Sequence, residues 1–166
     1  LPEAAAVFRR VTALAPNGAR GYLQLGRLLL ESFDVPGAIA ALEKADSLAP
    51  KSPDILTALG NAYATFGSSH KAAPLFESAV AARPEWAEAH WSLGNAYRNL
   101  GRFDDALASY AKVRALRPNL AAAVAGEAQV YESRGDSDGA WELLDRTVKT
   151  GVADPHLALA YARVAQ

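Results

Sequence analysis

The 166-residue chain has no cysteine and no methionine. The absence of thiols removes disulfides, thiolate nucleophiles and thiolate metal ligands, while leaving the cellular compartment open. Charge of one sign is missing as well. With 17 Lys+Arg against 18 Asp+Glu the net charge is −1, so there is no general pull toward nucleic acid or an anionic membrane. The longest uncharged runs are Ala-rich and broken by Gly, Asn and Pro, and none has the make-up of a membrane span. No basic segment leads into an apolar stretch at the start, so no signal peptide is read, and both cytoplasmic and periplasmic locations stay open. Ser/Gly-rich linkers are also missing, so 1–166 reads as one domain. What is abundant is hydrophobicity: 51% of residues, enough for a core and too much for disorder.

The hydrophobic residues are periodic. Pro16, Pro50, Pro84 and Pro118 stand 34 residues apart, and the same step relates Gly26, Gly60 and Gly94, with Ala128 in the fourth place. Ala4, Ala38, Ala72, Ala106 and Ala140 form a third series. Phe8, Leu42, Phe76, Tyr110 and Leu144 form a fourth, and Leu29, Tyr63, Tyr97 and Tyr131 a fifth. Several registers in phase at such a period mean stacked supersecondary units. The units run 19–52, 53–86, 87–120 and 121–154. Residues 1–18 carry the registers of a second half-unit, and 155–166 have the length of a first helix, so both ends read as cutting a longer array.

Apolar spacing inside each unit is helical rather than alternating. Over 87–100, Trp91, Leu93, Tyr97 and Leu100 recur at roughly helical intervals. Gly101 supplies a stop, repeated by Gly67 and Gly135, and Asp104 is expected to cap the next helix. Ala106, Leu107, Tyr110, Val113 and Leu116 form that helix's inner face. Pro118 ends it, and Asn119 and Leu120 turn the chain onward. Each unit is therefore a helical hairpin, and the fold class is an all-α solenoid of about ten antiparallel helices. A mid-helix Gly costs ~1 kcal/mol relative to Ala, so its recurrence implies close helix approach, with the bulky Tyr and Phe registers filling the space alongside.

Leu93-Gly94-Asn95-Ala96-Tyr97 followed by Ala106, Tyr110 and Pro118 resembles the tetratricopeptide repeat signature, as does Leu59-Gly60-Asn61-Ala62-Tyr63 with Ala72, Phe76, Ala79 and Pro84. The resemblance spans essentially the whole chain, with looser first and fourth units. It implies a right-handed superhelix of helix pairs whose first helices line a concave groove for a peptide or partner protein. Departures are local. Tyr22, Leu56, His90 and Val124 stand where the signature has Trp. Phe33 occupies the stop taken elsewhere by Gly, which predicts a differently built first turn. Pro36 is tolerated near a helix start. Pro74 removes a bond to His70 and predicts a bend if Ser69 is the cap. Val152 replaces the fourth proline, and Thr150-Gly151 are expected to end that helix.

By helical phase the groove candidates are Gln24, Arg27 and Glu31; Thr57, Asn61 and Thr65; Trp91, Asn95, Arg98 and Asn99; Gln129, Glu132 and Ser133; and Arg163. Amide side chains can grip both N–H and C=O of an extended peptide. Arg27 and Arg98 can pair with carboxylates, a preference that Glu31, Glu88 and Glu132 limit. Trp91 is a candidate aromatic anchor. Trp86 is expected as a staple between units, Trp141 in core or on the convex surface, and Tyr63, Tyr97 and Tyr131 in the core. The family's two-carboxylate clamp is absent in both registers. Leu23, Arg27, Ala58, Glu88 and Ser92 stand at its positions in one, and Thr57, Asn61, Ser92, Ala122 and Gly126 in the other.

Nothing suggests an enzyme, a metal or a cofactor. His70, His90 and His156 fall in different registers without ligand spacing, and Ser68-Ser69 follow Gly60 and Gly67 where a phosphate loop needs Lys-Ser/Thr. The leading function is a protein–protein interaction scaffold. One alternative is an accessory segment of a larger protein, because the Ala/Arg-rich style resembles bacterial arrays beside sulfotransferase or glycosyltransferase domains or in polysaccharide export. Another is self-association through an apolar array end.

Overall fold

The structure is a computed structural model that describes residues 2–118, 121–149 and 155–164. The Asn119-Leu120 turn, the Thr150-Gly151 stop, Val152 and the side chains of Ala4, Val11 and His156 lie outside the described residues. Ten helices follow in order, with no strand among the described residues: α1 Pro2–Leu14, α2 Ala19–Glu31, α3 Val35–Leu48, α4 Pro53–Thr65, α5 Ser69–Ala82, α6 Ala87–Asn99, α7 Phe103–Leu116, α8 Ala121–Ser133, α9 Ser137–Lys149 and α10 Pro155–Val164. They group into two compact units, 1–84 and 85–166.

In the first unit α2 packs on α3 and α4 on α5 as antiparallel pairs, and α3 packs on α4. The glycine register is what lets the pairs close. A Cβ on Gly26 would lie 2.4 Å from Leu42 Cγ, and one on Gly60 would lie 2.5 Å from Phe76 Cε1. Each glycine thus receives the large residue sixteen places further on. Ala38, Ala72, Leu42 and Phe76 are all buried, so the third and fourth sequence series form the floor of this core.

The second unit repeats the arrangement with α6 on α7 and α8 on α9, and α10 packs on both α8 and α9. Gly94 meets Tyr110, Ala106 and Ala140 are buried, and Ala128 with Leu144 forms the corresponding pair of the last hairpin. Tyr97 is buried, whereas Tyr63 in the first unit and Tyr131 here are half-buried rather than true core residues. Trp141 is partly exposed and tilts against Tyr161 of α10, with ring centroids 4.6 Å apart.

Three local expectations are corrected. Asp104 does not cap α7: the helix starts at Phe103 with Arg102 as its cap residue, and Asp104 lies in the first turn, paired with Arg134 at 2.9 Å. Nor is the first hairpin turn built differently. Asp34 N–H donates to Leu29 O at 2.8 Å, as Ser68 does to Tyr63 O, Arg102 to Tyr97 O and Asp136 to Tyr131 O. Each closes its helix over a residue in the left-handed region. Gly67, Gly101 and Gly135 hold φ of 82°, 72° and 79°, and Phe33 is forced to 61°. Pro74 sits inside α5, whose cap is Ser68 rather than Ser69, and the helix continues past it to Ala82.

Phe33 is 88% exposed, so its ring returns little for a conformation that costs an L-residue about 1–2 kcal/mol. Phe33→Gly is expected to stabilise by about 1 kcal/mol, raising the melting temperature ~2–4 °C by circular dichroism. An unchanged or lower value would show that the ring contributes contacts that offset the strain.

Candidate interaction surface

The site is built on the first helices of the hairpins, and each unit carries its own part. In the first unit α2 and α4 border a cleft of about 420 Å³ that includes Gln24 and Arg27 together with Arg20 and Asp54. Asp54 is engaged by Arg83 at 3.1 Å. Asn61 and Thr65 lie further along α4, exposed, with Thr65 Oγ1 donating to Asn61 O at 2.8 Å. They do not line that cleft. Thr57 is corrected: it is buried, so it belongs to the core and not to a groove.

In the second unit the predicted residues do come together. Asn95 and Arg98, one turn apart on α6, reach Tyr110 of α7 and Gln129 of α8. Tyr110 Oη donates to Asn95 Oδ1 at 2.7 Å, and Arg98 Nη1 donates to Gln129 Oε1. Burial pushes the Tyr110 hydroxyl up to about 12, although the charge of Arg98 and its hydrogen bond pull the other way. The phenol therefore keeps its proton and acts as a fixed donor. Glu132, one turn beyond Gln129, is held by Arg163 of α10 at 2.7 Å, and Ser133 Oγ donates to Gln129 O at 2.7 Å. Trp91 lies on the same helix as Asn95 and is 39% exposed. Asn99 is exposed at the end of α6. Glu88, expected to limit anion binding, is paired with Arg117 at 2.6 Å.

Sequence reasoning did not find a second cleft of the first unit, about 630 Å³ between α3 and α5 over α4. Glu43, Asp46, Tyr63, His70 and Lys71 line it. Tyr63 Oη donates to Glu43 at 2.5 Å, a bond that raises the phenol's pKa, and the Lys71 ammonium lies 5.1 Å from the Tyr63 ring centre. The only advance signal was charge on the outer helices, which ordinarily marks a solvated face. Nor did the sequence reading single out Glu127, a buried carboxylate paired with Arg114 at 3.2 Å. Among the described residues no group of three His, Asp or Glu could hold a metal ion, and no helix is long and apolar enough to cross a membrane.

Regular helical hairpins, glycines seated against large residues sixteen positions on, and polar first-helix faces define an α-helical repeat protein of the kind that serves as an interaction scaffold. Family profiles described as tetratricopeptide repeat match residues 1–53 and 57–121, and a second one matches 100–164. The chain belongs to the tetratricopeptide repeat family. None of the curated proteins matches the sequence. Among solved structures, the MamA protein is 25% identical with a TM-score of 0.80, covering 88% of this chain and 80% of that one. MamA labelled MSR-1 is 28% identical with a TM-score of 0.76, covering 88% of each chain. YrrB, described as a tetratricopeptide protein with an unusual peptide-binding site, is 24% identical with a TM-score of 0.83, covering 98% of this chain and 83% of that one. At that identity the YrrB likeness speaks for the fold alone.

Proposed function

We propose that the chain is a non-catalytic scaffold whose first-helix faces bind an extended peptide or protein segment. In the second unit the contact residues are Trp91, Asn95, Arg98, Asn99, Gln129 and Glu132. In the first they are Gln24 and Arg27, with Asn61 and Thr65 further along. The observation that carries this reading is the anchoring of these side chains across helices, Asn95 by Tyr110 of α7 and Arg98 with Gln129 of α8. Side chains held this way give up little conformational entropy when a ligand arrives. Beside them Trp91 offers exposed aromatic surface of the kind that dominates binding energies.

The test is selection of peptides from a displayed library on the wild-type chain, followed by titration against variants. Trp91→Ala and Gln129→Ala are each expected to weaken selected peptides about tenfold or more, with helicity and melting close to wild type. Selected peptides that bind both variants as well as wild type would place the interaction elsewhere.

A further inference from the structure

The hydrogen bonds inside this cluster have a direction, and that direction names a ligand chemistry. Arginine has donors and no acceptor, so the bond from Arg98 fixes the Gln129 amide with its oxygen inward. The Gln129 NH₂ is left facing away from that bond. Tyr110, with the Arg98 charge beside it, donates its own hydrogen bond to Asn95 Oδ1. The Asn95 oxygen thereby already accepts one hydrogen bond, and its NH₂ carries the donors left over. The N–H groups left over on Asn95, Arg98 and Gln129 are donors, two amides flanking a guanidinium, while each amide oxygen already accepts one hydrogen bond.

Charge points the same way. Arg114, Arg117, Arg134 and Arg163 of this unit each contact a carboxylate. The hydrogen-bond partner of Arg98 among the described residues is the neutral Gln129, with the Tyr110 phenol alongside, and its Nε is buried without a partner. The two carboxylates of α8, Glu127 and Glu132, are paired with Arg114 and Arg163 respectively. The Glu132–Arg163 pair also shows the occupant in miniature. On the same helical register as Asn95 and Gln129, Arg163 is engaged by a glutamate side chain through two contacts, 2.7 and 3.0 Å long.

We infer that Asn95, Arg98 and Gln129 form a carboxylate-recognition site for a Glu side chain of a partner's extended segment. This rests on the first-helix face being the binding face, and it goes further by stating what is read there. An amide offers one acceptor oxygen and would turn its NH₂ toward the remaining donors, whereas the carboxylate presents two charged acceptors.

The probe is a fluorescein-labelled decapeptide of alternating Glu and Ala, acetylated and amidated, titrated by anisotropy beside its Gln–Ala counterpart. A Gln–Ala peptide ending in a free carboxylate forms a third arm. Binding of the Glu peptide at least tenfold tighter than both others is expected, weakening with salt. Arg98→Ala should reduce it to the Gln–Ala level, and Arg98→Lys should recover only part. Equal affinities for the Glu and Gln peptides, no binding by either, preference for the free terminus, or indifference to Arg98→Ala would each overturn the site. If that happens while library peptides still depend on Trp91, the binding face stands and only its ligand chemistry is wrong. Loss of the Trp91 dependence would instead remove the face itself.

Discussion

Gly94→Ala is expected to lower the melting temperature by roughly 4–8 °C, corresponding to ~2 kcal/mol. Helix propensity alone predicts the reverse, a gain of about 1 kcal/mol. Space decides between the two effects. A Cβ at position 94 would sit 2.7 Å from Tyr110 Cε1, and the ring has no retreat. Tyr110 is fully buried, and a Cβ on Gly126 would meet the same ring at 2.8 Å. The aromatic ring is therefore held between two bare helix backbones, α6 on one side and α8 on the other. Gly126→Ala gives the sharper comparison. Its register neighbours are Ala58 and Ser92, so the repeat pattern supplies no reason for glycine there and a propensity argument predicts stabilisation. The structure predicts a loss similar to that of Gly94→Ala. A Gly126→Ala variant that melts higher than wild type would refute the clamped ring. Because Tyr110 also orders Asn95, both substitutions should weaken peptide binding along with stability.

The same contact explains what could be read in the chain before its structure. Helix pairs, their limits and the buried alanines were legible because each hairpin repeats one steric solution, a small residue against a large one sixteen positions later. The stop glycines were legible because a left-handed residue closes every hairpin. Phe33 was misjudged for an instructive reason. The sequence rule treated Gly as a requirement of the turn, whereas the backbone bonds impose the conformation and the residue pays strain if it has a side chain. At the proposed binding face, helical phase picked out Asn95, Arg98 and Gln129, but it could not show the direction of their hydrogen bonds. That direction depends on a phenol on another helix, which the registers had assigned only a packing role. Thr57 shows the converse limit. Its phase placed it on the surface, and only the neighbouring helices bury it.

Glu127→Leu is expected to raise stability by about 1–2 kcal/mol at neutral pH, the second large effect. Position 127 belongs to the register of Leu25, Leu59 and Leu93, all buried, and Glu127 itself is 7% exposed. It contacts Arg114, yet its Oε1 is buried without a hydrogen-bond partner. Burial raises its pKa above the ordinary 4.5, although Arg114 and Arg146 oppose the shift. An acid whose folded pKa is raised binds its proton more firmly in the folded state than in the unfolded chain. Its contribution is thus most favourable below about pH 4.5 and declines as pH climbs through the folded value. The advantage of Glu127→Leu should consequently be larger at pH 7 than at pH 4, measured as the difference in melting temperature from wild type. Removing the partner instead, as in Arg114→Ala, should destabilise at neutral pH, because the carboxylate stays buried while its closest positive charge is gone. Arg114 is partly exposed and can return to water when Glu127 is replaced, so the two halves of this pair are not equivalent. A leucine variant less stable than wild type at pH 7, or one whose advantage grows on acidification, would mean that the ion pair outweighs the desolvation of its carboxylate.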